Sequence, residues 1–589
     1  MYEAAEQLDL AFCDPTDGHN PFGFRAAVAR DVRGAFPDVL CAVARRSGVH
    51  TSYLPERHGG TLRAFDEALT VVRTVARRDV AIMPASMISI TAAYAVLIGG
   101  SPEQGRAVSD LVRRGGTIGF AMTEEDSGSD VLAGTCRLDP DPDGDGYLLT
   151  GDKWMVGLGI RCDALLVVAR TGERGPGAFT AVLLDRSALP PGTAEPSEPV
   201  PTPGMRGIDF AHYRFDRCPV PADAVVGEVG TGLDAALRAQ QVVRTMSAAG
   251  NLACADTALR VALEFALHRT VGGVALVDVP YPRRDLALAA AALLAIDVTA
   301  LAAARALHVA PGRFVVPASV VKRVATEESG ALIARCAAVL GARSVVADGP
   351  TGVLQKVRRD NAVVRYFDTG PVGNLRTIAA QLPLIAKAAK AAENRTEDEP
   401  DDLAAVFDLR RPLPELRPTD LDLTTRGRDD VVAGLPAVAA RARKELSRRD
   451  DPAAARAAEL VAELDGELAA LLDQVGEAAP ADLLDLAERF CLLHAAASAV
   501  HLWWFNRTDD LFGHPAGDAG WLTGCLAYLL ARALAPDPHA DARAATDDAG
   551  FALDVVLRLH AENRLFSAVP VRLCGPATRH ALGGSRVTS

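Results

Sequence analysis

The stretch 120–130 reads FAMTEEDSGSD, and it marks the point where the pattern of the chain changes. An apolar strand ends in a Thr-Glu pair, and a turn of small residues follows, Ser127-Gly128-Ser129. Small residues let backbone N–H groups approach a polar ligand closely, and their hydroxyls bind phosphate or ring oxygens. Taken alone, the stretch is more typical of a polar turn without a ligand, so its meaning depends on its surroundings.

The surroundings predict an α+β fold that is mostly α. Residues 1–115 carry helical apolar periods, whereas 116–222 hold short apolar runs separated by Gly, Asp and Pro, which is typical of a β-domain. Residues 223–393 contain four helix-length segments with the spacing of a four-helix bundle. Residues 394–426 begin with a polar, acidic run and predict a linker and irregular segment, and 427–589 predict a C-terminal helical extension.

Composition excludes several classes of function. The 589 residues are 49% hydrophobic and 23% charged, which predicts a soluble globular protein built from several units. The net charge of −13 argues against binding to nucleic acid or to an anionic membrane, since both need a positive surface. The N-terminus lacks the basic and apolar regions of a secretory signal, and the apolar run 286–296 is too short to span a bilayer. We therefore expect a cytoplasmic protein.

No metal site is predicted. The ten cysteines include no CxxC pair, so neither a zinc site nor a disulfide framework is indicated. The acidic run 139–147 mimics the start of a calcium loop, but Thr150 stands where the bidentate Glu belongs. We interpret this run as a solvated hairpin turn.

Several motifs, in one order, resemble those of the acyl-CoA dehydrogenase superfamily. The resemblance covers about residues 20–392. It rests on LPERHGG (54–60), Thr123-Glu124 with Gly128-Ser129-Asp130, DGYLLTGDKWMVG (145–157), the series 204–232, VVRTMSAAG (242–250) and RRD (358–360). It implies an N-terminal helical domain, a middle β-barrel-like domain and a four-helix bundle, with the C-terminal helices as an addition.

The resemblance also implies FAD between the β-domain and the bundle, in a homodimer or homotetramer whose second subunit touches the cofactor. Thr123 would face the flavin ring, and Ser129 would reach either the FAD phosphates or the acyl thioester. Arg244 would lie near the substrate, and Arg269 would hold pyrophosphate across the dimer, which suits its bidentate guanidinium. The implied cofactor-binding set is Phe120, Met122, Thr123, Gly128, Ser129, Trp154, Met155, Gly157, Arg269, Gly341 and Gly370. The implied substrate-binding set is Ser129, Arg244 and Thr369.

Four positions depart from the family pattern. Glu125 replaces the usual Pro, and Gly157 stands where a hydroxyl residue normally contacts the flavin. Gly272 replaces the Phe of the Arg-x-x-Phe-Gly motif, and the Gly-Gly loop retains only Gly341.

The stretch 366–374, YFDTGPVGN, holds the candidate catalytic residue. In the family the base is a Glu in a Tyr-Glu-Gly-Thr turn, nine positions after an Arg, and nine positions after Arg359 is Asp368. Phe367 takes the Tyr position and the Thr-Gly order is inverted. Three interpretations stay open for Asp368: a base one methylene short, a residue of a site with other flavin chemistry, or a structural helix cap.

The resemblance implies FAD-dependent α,β-dehydrogenation of an acyl thioester, with coenzyme A or an acyl carrier protein as the carrier and a separate electron-transfer partner. One alternative is a flavin-dependent monooxygenase or N-oxidase, and another is a non-catalytic binding protein that has lost FAD. Lys322 resembles a bundle-helix lysine of the family, for which we expect a structural role. His501, Trp503 and Trp504 are predicted on a helix of the extension, where such aromatics usually form core or interface.

Overall fold

The computed structural model describes residues 2–349, 351–392, 401–535 and 543–575. The N-terminal region is helical, as predicted. Its helices are α1 (Glu3–Phe12), α2 (Phe24–Arg33), α3 (Asp38–Arg46), α4 (Phe65–Ala76), α5 (Ile82–Met87), α6 (Ile90–Gly99) and α7 (Pro102–Arg113). Local sequence explains the start of α7: Ser101 and Gln104 form a reciprocal capping box and Pro102 occupies the first helical position.

The middle domain is one eight-stranded sheet. Its strands are β1 (Ile118–Ala121), β2 (Arg137–Pro140), β3 (Tyr147–Gly157), β4 (Ala164–Arg170), β5 (Phe179–Asp185), β6 (Ala194–Pro196), β7 (Phe210–Val220) and β8 (Val225–Val226). The order is β6-β7-β3-β2-β4-β5-β8, and β1 pairs in parallel with β4. β4 is continuously apolar and buried because other strands and the helices cover it.

The bundle contains the four predicted long helices and one short helix. They are α8 (Gly232–His268), α9 (Pro280–Val309), α10 (Val315–Leu340), the short α11 (Val353–Val364) and α12 (Pro371–Ala392). A hairpin of β9 (Thr270–Val271) and β10 (Val274–Ala275) joins α8 to α9. The short α11 leads directly into the loop that carries Asp368.

The C-terminal extension is helical. Its helices are α13 (Asp401–Phe407), α14 (Asp430–Leu446), α15 (Pro452–Glu477), α16 (Leu483–Phe505), α17 (Gly520–Ala533) and α18 (Thr546–Ala561). α13 falls inside the segment predicted as linker, so that prediction is wrong for 401–407; residues 394–400 lie outside the described residues. Trp503 is buried in α16 and Trp504 is partly buried, which confirms their expected place in the core.

The extension packs on α9. α16, α17 and α18 all contact this helix, and 94% of its most apolar window is buried. α9 is long and apolar enough to cross a membrane by composition, contrary to the expectation from its shorter apolar run. A second stretch of this kind, Ile82–Gly99, is 67% buried. Burial of this extent is typical of core helices in globular proteins.

A buried ion network connects α4 and the loop around Phe566 to the bundle. Arg73 on α4 donates to Asp297 on α9 at 2.5 Å and to the Phe566 carbonyl at 2.8 Å. Arg77 and Arg260 both donate to Asp256 on α8, at 2.6 and 2.7 Å. The loop around Phe566 therefore fits between the N-terminal helices and the bundle, and each charge in this network has an opposite partner.

Candidate active site

The stretch that follows β1 forms an open turn at the edge of the β-domain. Met122 is buried and Thr123 half-buried, whereas Ser129 is exposed. Gly128 has a φ of +51°, in the left-handed region that favours glycine, and nothing lies within 4 Å of a Cβ built on it. The turn thus leaves space beside its backbone, as a ligand-binding turn requires.

A buried ion pair that the sequence analysis missed fixes the base of this turn. Lys153 donates to Glu124 Oε1 at 2.8 Å and to the Met122 carbonyl at 3.0 Å. Glu124 also accepts from the backbone N–H groups of Thr135 and Cys136. Burial acts to raise the pKa of Glu124, but Lys153 and these N–H groups hold it below its usual range. Glu124 and Lys153 lie in the two motifs at 120–130 and 145–157, so the sequence already held both charges next to the predicted site.

β3 bulges where it passes this turn. Its register against β7 shifts between Lys153 and Val156, and Met155 has a φ of +56°. Trp154 donates its backbone N–H to the Thr123 carbonyl at 2.8 Å, and its ring stacks on His212 with centroids 6.1 Å apart. The bulge therefore joins two predicted cofactor-binding residues, Thr123 and Trp154.

Gly157 is buried rather than open to a ligand. A Cβ at this position would meet Ile88 Cδ1 at 2.6 Å and Phe210 Cε1 at 3.8 Å. The space that a hydroxyl side chain would need is thus filled by the end of Ile88, just after α5. A larger side chain at Gly157 would therefore require Ile88 to move.

Asp368 lies in the loop between α11 and α12. Its φ of +67° is in the left-handed region, and its side chain is 14% exposed. Its Oδ2 is buried and has no hydrogen-bond partner among the described residues. The described contacts include no hydrogen bond from an α12 amide to this carboxylate, so the helix-cap interpretation gains no support. An unpartnered buried carboxylate oxygen is costly, and a functional site is a common reason for it.

Two buried cations face this carboxylate. Lys322 Nζ on α10 lies 3.8 Å from Asp368 Oδ2, and it donates to Ser247 Oγ and to the Val364 carbonyl. Arg244 on α8 donates through Nε to Thr369 Oγ1 at 3.0 Å. Arg244 thus lies beside the loop that carries Asp368, which we call the base loop. Lys322 was expected to be only structural, but the structure places its charge next to Asp368.

Burial shifts the pKa of all three groups. It raises the pKa of Asp368, and the positive charges of Lys322 and Arg244 only partly oppose this effect. Burial lowers the pKa of Lys322 to about 8 and that of Arg244 to about 10, each opposed by the Asp368 carboxylate. A carboxylate with a raised pKa is better able to accept a proton than an ordinary aspartate.

Two contacts hold the base loop against the β-domain. Phe367 packs on Phe210 of β7 with ring centroids 5.5 Å apart. Asp360 on α11 accepts from the Met205 N–H at 2.6 Å. A Cβ at Gly204 would lie 2.3 Å from the Arg359 carbonyl oxygen, so only glycine permits this close approach. The RRD motif therefore acts in part by docking α11 on the β-domain.

The remaining predicted site residues make no described contact with Asp368. Arg269 and Gly272 are exposed on the β9–β10 hairpin, and Gly341 ends α10 with a φ of +55°. No described contact within the chain brings them to Asp368. Phe120 lies half-buried in β1, and Gly370 precedes α12 with its carbonyl accepting from Asn374.

Comparisons with known proteins agree with this architecture. Residues 119–218 match the model of the acyl-CoA dehydrogenase middle domain, and 230–382 match that of the C-terminal domain. A probable acyl-CoA dehydrogenase of Mycobacterium leprae, fadE25, is 27% identical over 243 residues, covering 41% of this chain. The chain spans 61% of the length of that relative.

Solved structures give the same fold. The glutaryl-coenzyme A dehydrogenase in complex with glutaryl-CoA superposes with a TM-score of 0.57 and 22% identity, covering 64% of this chain and 93% of that one. The prolyl acyl carrier protein oxidase AnaB superposes with a TM-score of 0.54 and 18% identity, covering 64% and 97%. Residues 119–218 and 230–382 of this chain thus match domains of the acyl-CoA dehydrogenase superfamily, whose members are FAD-dependent oxidoreductases, and the solved structures share its fold.

The residues present fit a flavin in one respect. The Gly128 turn leaves open space beside its backbone and its neighbouring serine hydroxyls, while the Gly128 N–H itself donates to the Glu124 carbonyl at 2.9 Å. The buried Gly157 does not contribute a hydroxyl. A flavin held here would therefore depend on the 123–129 turn and on Trp154 for its protein contacts.

Proposed function

We propose that this protein catalyses FAD-dependent α,β-dehydrogenation of an acyl thioester, with Asp368 as the base. The buried, unpartnered Asp368 Oδ2, with Lys322 Nζ 3.8 Å away and Arg244 bound to the adjacent Thr369, carries this proposal. The match to domains of the superfamily supports the reaction class.

Cofactor binding is assigned to the open side of the β-domain. Thr123, Ser129 and the open side of the Gly128 turn would hold the FAD, with Trp154 beside Thr123. FAD, when bound, supplies the acceptor for the β-hydrogen of the substrate, which leaves as hydride. Arg269 is exposed and would meet the cofactor of a second subunit, so a homodimer or homotetramer is part of the proposal.

Asp368 would remove the α-proton. A base needs a pKa near the working pH, and burial moves the pKa of Asp368 upward in that direction. The positive charge of Lys322, 3.8 Å from Oδ2, favours the ionised form of the carboxylate and opposes the effect of burial. A carboxylate that is too strongly paired would not accept a proton, and here Oδ2 is left without a hydrogen bond.

The same cations stabilise the charge that develops. When the α-proton moves to Asp368, negative charge passes to the thioester enolate while the Lys322 and Arg244 charges stay in place. Fixed charges in a buried site act strongly because little water screens them. Arg244 also holds Thr369 through its Nε, which orders the backbone next to Asp368.

Several finer points belong to the proposal. The acyl group would be carried by coenzyme A or by an acyl carrier protein, because both present the same pantetheine arm. Similarity to AnaB, a prolyl acyl carrier protein oxidase, supports including an acyl carrier protein as a carrier beside coenzyme A. The proposal also includes a cytoplasmic location and a separate electron-transfer partner that reoxidises the flavin.

The visible spectrum provides the test. The purified protein should be yellow or take up added FAD, and an acyl thioester should bleach the flavin anaerobically. A colourless protein that stays without flavin would remove the proposal. Bleaching by a reduced nicotinamide but by no acyl thioester would point instead to an oxygenase.

A further inference from the structure

A cavity of about 40 Å³ lies between the bundle and the C-terminal extension. It is separate from Asp368: its lining on α10 is Pro317 and Val320, whereas the base faces Lys322. α9 contributes a stripe of small residues, including Ala302 and Ala306, which leaves the space unfilled. A cavity of this size holds about three waters, or a ligand of a few heavy atoms.

Asp429 and His494 line the buried part of the cavity. Asp429 caps α14 by accepting from the Val432 N–H at 3.1 Å through Oδ1. Its Oδ2 lies 3.3 Å from His494 Nε2 of α16 but is buried without a hydrogen-bond partner. Both ring nitrogens of His494 are also buried without one, and the two side chains are 3% and 4% exposed. Unsatisfied polar atoms at this depth are rare in folded proteins.

No arginine or lysine among the described lining residues pairs with Asp429. Burial acts to raise the pKa of Asp429, but the His494 ring and the amides of Val432 and Val431 hold it below its usual range, so the group is a carboxylate. Arg313 is the one arginine among the described lining residues, and Asp430 and Asp402 already bind it at 2.6 Å. Among the described groups Asp429 Oδ2 thus faces only the His494 ring, and a buried carboxylate oxygen without a hydrogen bond is costly.

We propose that this cavity binds a small ammonium ligand with a short apolar body. The ammonium group would donate to Asp429 Oδ2, and the apolar body would lie against Ala302, Ala306 and Val320. Entry would pass the Arg313–Asp430 ion pair, because Ala306, Ala310 and Arg313 are half-exposed while Asp429 and His494 are buried.

Calorimetric titration of the full chain with ethylammonium and isobutylammonium chloride at constant ionic strength tests the proposal, with isobutanol as the neutral comparison. We expect saturable binding of an ammonium and much weaker binding of the alcohol. Asp429→Asn should weaken ammonium binding about 10-fold to 100-fold, the range of a charge-assisted hydrogen bond. Asparagine is also a good N-cap, so α14 should still form.

Two further variants complete the test. Asp451→Asn is the matched control, because Asp451 caps α15 in the same way away from the cavity, and it should leave binding unchanged. Ala302→Leu should abolish binding by filling the cavity. Absence of saturable heat in the wild type would mean that only water occupies the cavity and would overturn the proposal. Equal affinity for isobutanol, or undiminished binding by Asp429→Asn, would overturn it as well.

Discussion

Lys322 Nζ lies 3.8 Å from Asp368 Oδ2, and that oxygen accepts no hydrogen bond from any described residue. The two charges are close enough to influence each other's pKa, yet the carboxylate keeps a free lone pair. This relationship distinguishes a poised base from a structural ion pair, since a structural pair is normally closed by hydrogen bonds.

Removal of the lysine charge should shift the pH dependence of flavin reduction. Reduction needs ionised Asp368, so its rate rises with pH through the pKa of that carboxyl, which burial raises and Lys322 lowers. Lys322→Met removes the lowering effect and should move the acidic limb upward by about one pH unit or more. Stopped-flow measurement between pH 5 and 9 would show it.

Lys387→Met is the control for that experiment, because Lys387 is exposed on α12. Its profile should coincide with that of the wild type. An unmoved acidic limb in Lys322→Met would show that Lys322 does not set the pKa of the base.

The position of Asp368 was predictable from sequence because it depends on spacing along one short segment, from Arg359 to the turn. The role of Lys322 was not predictable, because this residue lies 46 positions earlier in the chain. Only the packing of α10 on α8 and α11 brings its charge close to Asp368 Oδ2. The four long bundle helices followed from apolar periodicity. The helix 401–407 did not, because its acidic surroundings resemble a linker.

Replacement of Gly157 by a larger residue should destabilise the fold unless Ile88 is replaced by a smaller residue. Gly157→Ala places a Cβ 2.6 Å from Ile88 Cδ1, and because that atom ends a flexible side chain the cost should be about 1 kcal/mol, the lower end for overpacked cores. Ile88→Ala leaves room and should recover much of that loss in the double variant. A double-mutant cycle in urea measures the coupling, and strictly additive effects would contradict the described packing.

Asp256 should anchor the N-terminal helices to the bundle. Asp256→Asn leaves Arg77 and Arg260 without their shared carboxylate, and loss of one partner in a buried pair costs about 3–5 kcal/mol. Thermal unfolding would reveal a lower Tm, and a loss below about 1 kcal/mol would show that the network is dispensable.

The same carboxylate predicts acid sensitivity. Burial acts to raise the pKa of Asp256, but its three arginine partners lower it well below the ordinary value. Its contribution to stability is therefore present above the unfolded pKa of about 4 and is lost as pH falls through the folded value. The stability gap between wild type and Asp256→Asn should narrow on acidification, and a gap that widens would contradict the assignment.

Anaerobic reduction of bound flavin by an acyl thioester, compared between wild type and Asp368→Asn, tests the central claim most directly. Both proteins should bind FAD, because Asp368 is not assigned to hold it. The wild type should bleach, and Asp368→Asn should bleach at least about 10²-fold more slowly, since general-base catalysis contributes that much or more. Asp368→Glu should restore part of the rate by returning a carboxylate. Undiminished bleaching by Asp368→Asn would contradict the account.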